Sequence, residues 1–233
     1  MTYEEFKRRF DVSREALCRE ILAANRDAIR IKKENTVVKN LAKIVEATLK
    51  ISNRLGFQAM SMRTLSREAG LSMGGLYAYF AGKQEIMDML RRQLESTVSR
   101  VFAQCLKDAM PPGVQLQTAI ETHLHLSEAM RGWFYFAYME TKQMNRRERE
   151  GAMAAELNTE KIFVDILKAG QQTADFCPRD PYLTAGVIKA VLQDWYLKRW
   201  KYARRNITVD QYAAFAVDWV ETFVREPCSG ADT

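Results

Sequence analysis

The stretch SMRTLSREAGLSMGGLYAYF, residues 61–80, constrains the chain more than any other. Two short runs, each led by a serine (Ser61 and Ser72), flank Gly70. A serine hydroxyl just ahead of a helix accepts from first-turn N–H groups that lack an intrahelical partner, so both serines mark helix starts. Glycine adopts the left-handed backbone that a tight turn between two helices requires. With Leu65, Ala69, Leu71, Leu76 and Phe80 supplying a shared apolar side, the stretch predicts a helix-turn-helix. Gly74 and Gly75 then sit in the first turn of the second helix, where each glycine costs about 1 kcal/mol relative to alanine. Close approach by another molecule's backbone is a reason for accepting that cost.

Elsewhere, too, apolar residues recur at helical spacing and no strand alternation is evident, so the chain reads as all-α. Val37, Leu41, Ile44, Val45, Leu49 and Leu55 form one face of a helix that Gly56 stops. A long amphipathic helix is expected over 83–109, ended by Pro111, Pro112 and Gly113, then helices over 114–130, 133–151 and 153–169, the last stopped by Gly170. Asp180 followed by Pro181 marks a helix start, with the helix running to about 203, and a final helix covers 209–225. The domains expected are an N-terminal helical extension (1–35), a helix-turn-helix domain (36–82), a larger helical domain (83–227) and a short tail (228–233).

Hydrophobic residues make up 47% of the 233 positions, enough for a sizeable core. Residues 37–100 hold 10 Lys and Arg against 5 Asp and Glu, whereas residues 101–233 are nearly balanced. A positive segment that contains a helix-turn-helix points to a polyanion. Cys18, Cys105, Cys177 and Cys228 are widely spaced and read as reduced structural thiols. The N-terminus has no apolar signal core and no run is long enough to cross a bilayer, so the expectation is a cytoplasmic protein without membrane association.

From about Val37 to Leu90 the chain resembles the DNA-binding domain of the tetracycline-repressor (TetR-like) family of bacterial regulators. The resemblance is carried by "NRLGFQAMSMRTLSREAGLS" followed by "MGGLYAYFAGKQEIM". It implies that the helix starting near Ser72 enters the major groove, with Met73, Gly74 and Gly75 close to bases and phosphates. It also implies phosphate contacts from Tyr77 and Lys83, and backbone contacts from Arg63 and Thr64. Met73 and Gly75 depart from the lysine and the serine or threonine common there. Met73 is therefore expected to meet a thymine methyl, and Tyr79 to offer a hydroxyl.

The family also encloses a ligand cavity in its larger domain. Trp133, Phe136, Tyr138 and Met139, with Gln171 and Trp195, are candidate lining residues for a small hydrophobic effector. A looser likeness to regulators of lipid metabolism suggests an acyl-CoA thioester, with Arg146, Arg147 and Arg149 meeting its phosphates. The second apolar stripes of the last two long helices, Val187, Val191 and Trp195 with Phe215, Trp219 and Phe223, suggest a homodimer interface. In residues 1–35, Phe6, Phe10, Leu17, Ile21, Ala24 and Ala28 describe a further helix packed on the body, with Lys7, Arg8, Arg9, Arg30, Lys32 and Lys33 as the rival reading of a DNA arm.

No cofactor, metal or enzymatic activity is expected. Glu121 and His125 share a helix face but lack a third ligand, and nothing orients Cys105 with His123 or His125 for nucleophilic attack. The expected function is that of a repressor released from a palindromic operator by an effector. The alternatives are an effector-independent regulator or activator of the same fold, and a small-molecule-binding helical protein without DNA function.

Overall fold

The computed structural model describes residues 1–25, 33–140 and 146–226, and the side chains of 146–148 lie outside that description. Among the described residues every regular element is helical: twelve α-helices and one 3-10 turn. The chain divides into two compact units.

One unit comprises Asp11–Thr97 and the described residues of Met130–Ala152. Helix α2 (Arg14–Ala24) buries Leu17, Cys18, Ile21 and Leu22, and packs against α3 (Glu34–Leu55). On α3, Val37, Leu41, Ile44, Val45 and Ile51 face inward, as their spacing predicts. Gly56 ends α3 at φ 82°, a conformation open to glycine. A 3-10 turn (Phe57–Ala59) leads to α4 (Met62–Ala69) and α5 (Met73–Tyr77). The unit also takes α6 (Lys83–Cys105) as far as Thr97, and α8 (Arg131–Glu140).

The other unit holds α1 (Tyr3–Arg9), the rest of α6, α7 (Pro112–Ala129), most of α9 (Arg146–Gln172), α10 (Pro181–Leu197), α11 (Arg199–Arg204) and α12 (Val209–Arg225). Helix α7 is buried nearly all round and packs against α10 and α12. Fully buried Trp195 clusters with Tyr202 and Tyr212, whose ring centroids are each 5.1 Å from its own and 4.8 Å from each other, and its Nε1 donates to Glu128 at 3.0 Å.

Several expectations are corrected. The N-terminal segment forms two helices, not one, and they belong to different units. Asp11 accepts from Ser13 N at 3.0 Å and Ser13 Oγ caps α2, so local side-chain bonds replace the helical ladder there. Ala28, Arg30 and Lys32 lie outside the described residues, as does the tail from 227. Gly170 is not a stop: α9 continues to Gln172. A Cβ at Gly170 would lie 2.0 Å from Phe176 Cδ2, so the glycine makes room for a ring. The helix expected from 181 to 203 breaks at Lys198, where φ is −119°. The boundaries expected at 35/36 and 82/83 do not coincide with the units, because α6 belongs to both and α8 joins α3.

Candidate nucleic-acid interface

Local bonds build the helix-turn-helix. Ser61 Oγ accepts from Thr64 N at 3.1 Å while Thr64 Oγ1 accepts from Ser61 N at 2.9 Å, a reciprocal cap that starts α4. Gly70 ends α4 in the left-handed region at φ 64°, ψ 35°. Ser66 closes the turn from beneath, its Oγ donating to Leu71 O at 2.5 Å and its carbonyl accepting from Leu71 N at 3.0 Å. Ser72 Oγ then accepts from Gly75 N at 3.0 Å and starts α5. Leu65 and Leu76 are both fully buried and join the two helices. Exchanging either for alanine costs about 2–5 kcal/mol on the scale of buried leucines.

This arrangement leaves one side of α5 open. Met73, Gly74 and Tyr77 are exposed, as are Ser72 and, on α4, Arg63. A Cβ built on Gly74 meets nothing within 4 Å, so no neighbour inside the protein requires glycine there. A Cβ on Gly75 would lie 3.1 Å from Ser72 Oγ, so Gly75 leaves room for the cap.

Three of the expected contacts are placed differently. Tyr79 is buried and its hydroxyl accepts from Asn40 Nδ2 at 2.9 Å, which ties α5's exit to α3. Burial also pushes its phenol pKa up. Its hydroxyl therefore serves the unit's interior and is withdrawn from base reading. Lys83 Nζ donates to Gln58 O at 3.0 Å and Met60 O at 3.2 Å, leaving one of its three N–H groups for an outside acceptor. Thr64 is half-buried and engaged in its cap.

Lys50 and Glu68 pair at 2.5 Å and brace α3 against α4, and the ammonium holds the Glu68 carboxyl below its ordinary range. Sequence reasoning missed Asn40 and Glu140. Glu140 is buried at the end of α8, and its Oε1 accepts from Phe57 N at 2.9 Å. Its signal was legible: Trp133, Phe136 and Glu140 fall at three- and four-residue spacing, so a carboxylate occupies an apolar register position.

The residues expected to line an effector cavity are divided between the two units. Trp133, Phe136, Tyr138 and Met139 belong to one unit, Gln171 and Trp195 to the other. Phe136 packs edge-on to Phe57 at 5.9 Å, and Tyr138 and Met139 are exposed. Gln171 Nε2 donates to Arg179 O at 2.6 Å and holds the loop after α9. The side chains of Arg146 and Arg147 lie outside the described residues, and Arg149 is exposed.

Trp195 is also removed from the expected dimer face, being 0% exposed. Positions four apart on a helix drift by about 40° per step. The stripe that begins at exposed Leu183 and Val187 thus turns inward through half-buried Val191 to Trp195. Phe215, Trp219 and Phe223 remain exposed, the last two stacked at 6.3 Å.

Among the described residues no group of three or more His, Cys, Asp or Glu is placed to hold a metal ion, and His125 Nε2 instead meets Asp210 at 3.0 Å. No described helix is long and apolar enough to cross a membrane.

The family model "Bacterial regulatory proteins, tetR family" matches residues 44–90, which span the second half of α3, the helix-turn-helix and the start of α6. The HTH-type transcriptional regulator HbdR of Aromatoleum sp. (strain CIB) is 23% identical over 162 residues, covering 70% of this chain and 71% of that protein. A bacterial regulatory protein of the tetR family from Rhodococcus RHA1 superposes with a TM-score of 0.72 at 18% identity, covering 80% of this chain and 97% of that one. The structure of AibR in complex with isovaleryl coenzyme A and operator DNA superposes with a TM-score of 0.67 at 16% identity, covering 78% and 97%. The capped α4, the left-handed turn at Gly70 and the exposed first turn of α5 all lie within the matched residues, and residues 44–90 form a DNA-binding domain of the tetR family of transcriptional regulators.

Proposed function

We propose that the protein is a homodimeric, cytoplasmic repressor that leaves its operator when a small hydrophobic effector binds. The observation that carries the DNA half is Gly74: exposed, in the first turn of α5, with nothing inside the protein to exclude a side chain. A bare backbone there lets α5 sit deep in the major groove, with Met73 against a thymine methyl and Tyr77, Arg63 and the remaining N–H of Lys83 toward phosphates. Two α5 helices spaced by about 34 Å read the half-sites of a palindrome. The exposed apolar residues of α10 and α12 are the proposed dimer face.

The effector half is supported by the likeness to AibR, whose structure holds isovaleryl coenzyme A with operator DNA. An acyl-CoA thioester that favours a conformation with its recognition helices wrongly spaced would release DNA. A second reading, an effector-independent regulator of the same fold, is favoured by the packing of Trp195, one of the expected lining residues, against Tyr202 and Tyr212.

One experiment separates the two: selection of a duplex from a random pool, followed by titration of that complex with isovaleryl-CoA and octanoyl-CoA. Release by either thioester supports the repressor-with-effector reading. Indifference to both favours the effector-independent regulator, and failure to select a duplex removes the DNA reading.

A further inference from the structure

Proposed recognition rests on α4 and α5, yet what holds them comes from elsewhere in the same unit. The 3-10 turn Phe57–Ala59 is the lead into α4 and is gripped at both ends. At its start, Glu140 Oε1 accepts from Phe57 N at 2.9 Å, a bond spanning 83 residues of sequence. Beyond it, Lys83 Nζ donates to Gln58 O and Met60 O. The Phe57 ring lies between the grips, with the Lys83 ammonium 5.4 Å from its centroid and Phe136, one turn before Glu140, 5.9 Å away. Glu140 is 3% exposed, and Oε2 makes no hydrogen bond among the described residues. Burying a carboxyl is costly unless it is well used. Here the single acceptor that is used satisfies the first N–H of the turn, which no helical carbonyl can reach.

We infer that Glu140 is a positioning residue for DNA recognition: from the end of α8 it sets the pitch at which the Phe57–Ala59 turn delivers α4, and with it α5, to the groove. Glu140 touches no DNA. Its effect passes through the turn to the Ser61 cap, so a loosened turn lets α4 and α5 tilt together without unfolding. Binding that needs register with base edges suffers, while binding to any backbone does not. This inference rests on the DNA-binding reading and adds a residue that the reading does not assign.

The test compares full-length wild type with Glu140→Gln, Glu140→Leu and Glu140→Asp. The probes are the duplex that wild type selects and a scrambled duplex of equal length. Gln keeps an acceptor at the same reach, Leu removes it, and Asp keeps the charge but withdraws it by one methylene. Expected results are a loss of about tenfold or more in affinity for the selected duplex with Leu, the scale of a buried N–H left unsatisfied, a similar loss with Asp, and a value within about threefold of wild type with Gln. Affinity for the scrambled duplex stays within about threefold throughout. Should Leu not fold, Asp and Gln carry the comparison.

Equal loss on both duplexes reduces Glu140 to a stability residue and overturns the inference, as does a Gln variant as weak as Leu or Asp. Amide exchange reads the grip without DNA: Phe57 N–H is expected to be protected in wild type and Gln, and to lose protection in Leu and Asp. Protection unchanged in Leu and Asp overturns the inference even if no duplex is selected, an outcome that by itself removes the DNA reading alone.

Discussion

Gly74 and Gly75 are adjacent and chemically identical, and their surroundings give them different work. Gly75 leaves room for the Ser72 cap, whereas Gly74 has open space where a Cβ would go. Gly74→Ala should therefore raise stability by up to about 1 kcal/mol, the helix-propensity difference, while weakening binding to a selected duplex by about tenfold. Thermal melts and fluorescence anisotropy on the same preparation check the two halves, and unchanged affinity would mean that no DNA backbone approaches this point. In the other unit, two buried histidines set a pH dependence. The pKa of His123 is held well below its ordinary value by burial and then by the Lys189 charge; that of His125 is lowered too, since burial outweighs the Asp210 carboxylate. Unfolding returns both to about 6.5. Below that pH the unfolded chain binds protons that the folded chain refuses, so stability rises with pH through this window and is lost on acidification. Calorimetry from about pH 7.5 down to about pH 5 should show a falling Tm, by roughly 2–4 °C for each kcal/mol lost. His123→Leu should flatten that slope, and a slope as steep as wild type would clear His123 of the effect.

At the scale of elements, the turn between α4 and α5 depends on one backbone angle. Gly70 sits at φ 64° with nothing within 4 Å of its missing Cβ, so alanine there meets strain without clash. Gly70→Ala should cost about 1–2 kcal/mol, and Gly70→Asn less, because asparagine tolerates the left-handed region. Urea melts of the three proteins test the order, and equal midpoints for Ala and wild type would contradict it. This element was legible in the sequence because its determinants are local: Ser61, Gly70 and Ser72 act on neighbours within a few residues. The role of α8 was not, because its partners are remote. Asn53 reaches Gly132 O across 79 residues, and Phe57 reaches Glu140 across 83. Gly170 misled for a related reason, since its fit to Phe176 depends on a loop that folds back rather than on the helix's own pattern. Tyr79 and Lys83 were read from a family likeness that supplies a position and not a hydrogen-bond partner. Asn40, Gln58 and Met60 supply those partners.

For the whole molecule the question is what covers the exposed rings of α12. Phe215 is 70% exposed and Leu183 on α10 is 72% exposed, with Val187, Trp219 and Phe223 also open. So much apolar side chain on two neighbouring helices is unusual for a surface that stays in water. Arg179 lies over the Phe223 ring at 4.0 Å, placing a cation beside the apolar residues as at the rim of an interface. Association through a two-fold axis would set each residue against its counterpart's surroundings, so a charge introduced once appears twice. Val187→Glu with Phe215→Glu should therefore shift the protein from dimer to monomer in sedimentation at about 1 μM, a loss of about 100-fold or more in dimer affinity from buried like charges. Both side chains are exposed, so helicity and the melting of an isolated subunit should hold. A palindromic duplex binds two linked reading heads, and its affinity should fall steeply in the variant, toward that of a single half-site. A variant that still sediments as a dimer would place the subunit contact elsewhere, and one that becomes monomeric yet binds the full palindrome as tightly would separate dimerisation from DNA reading.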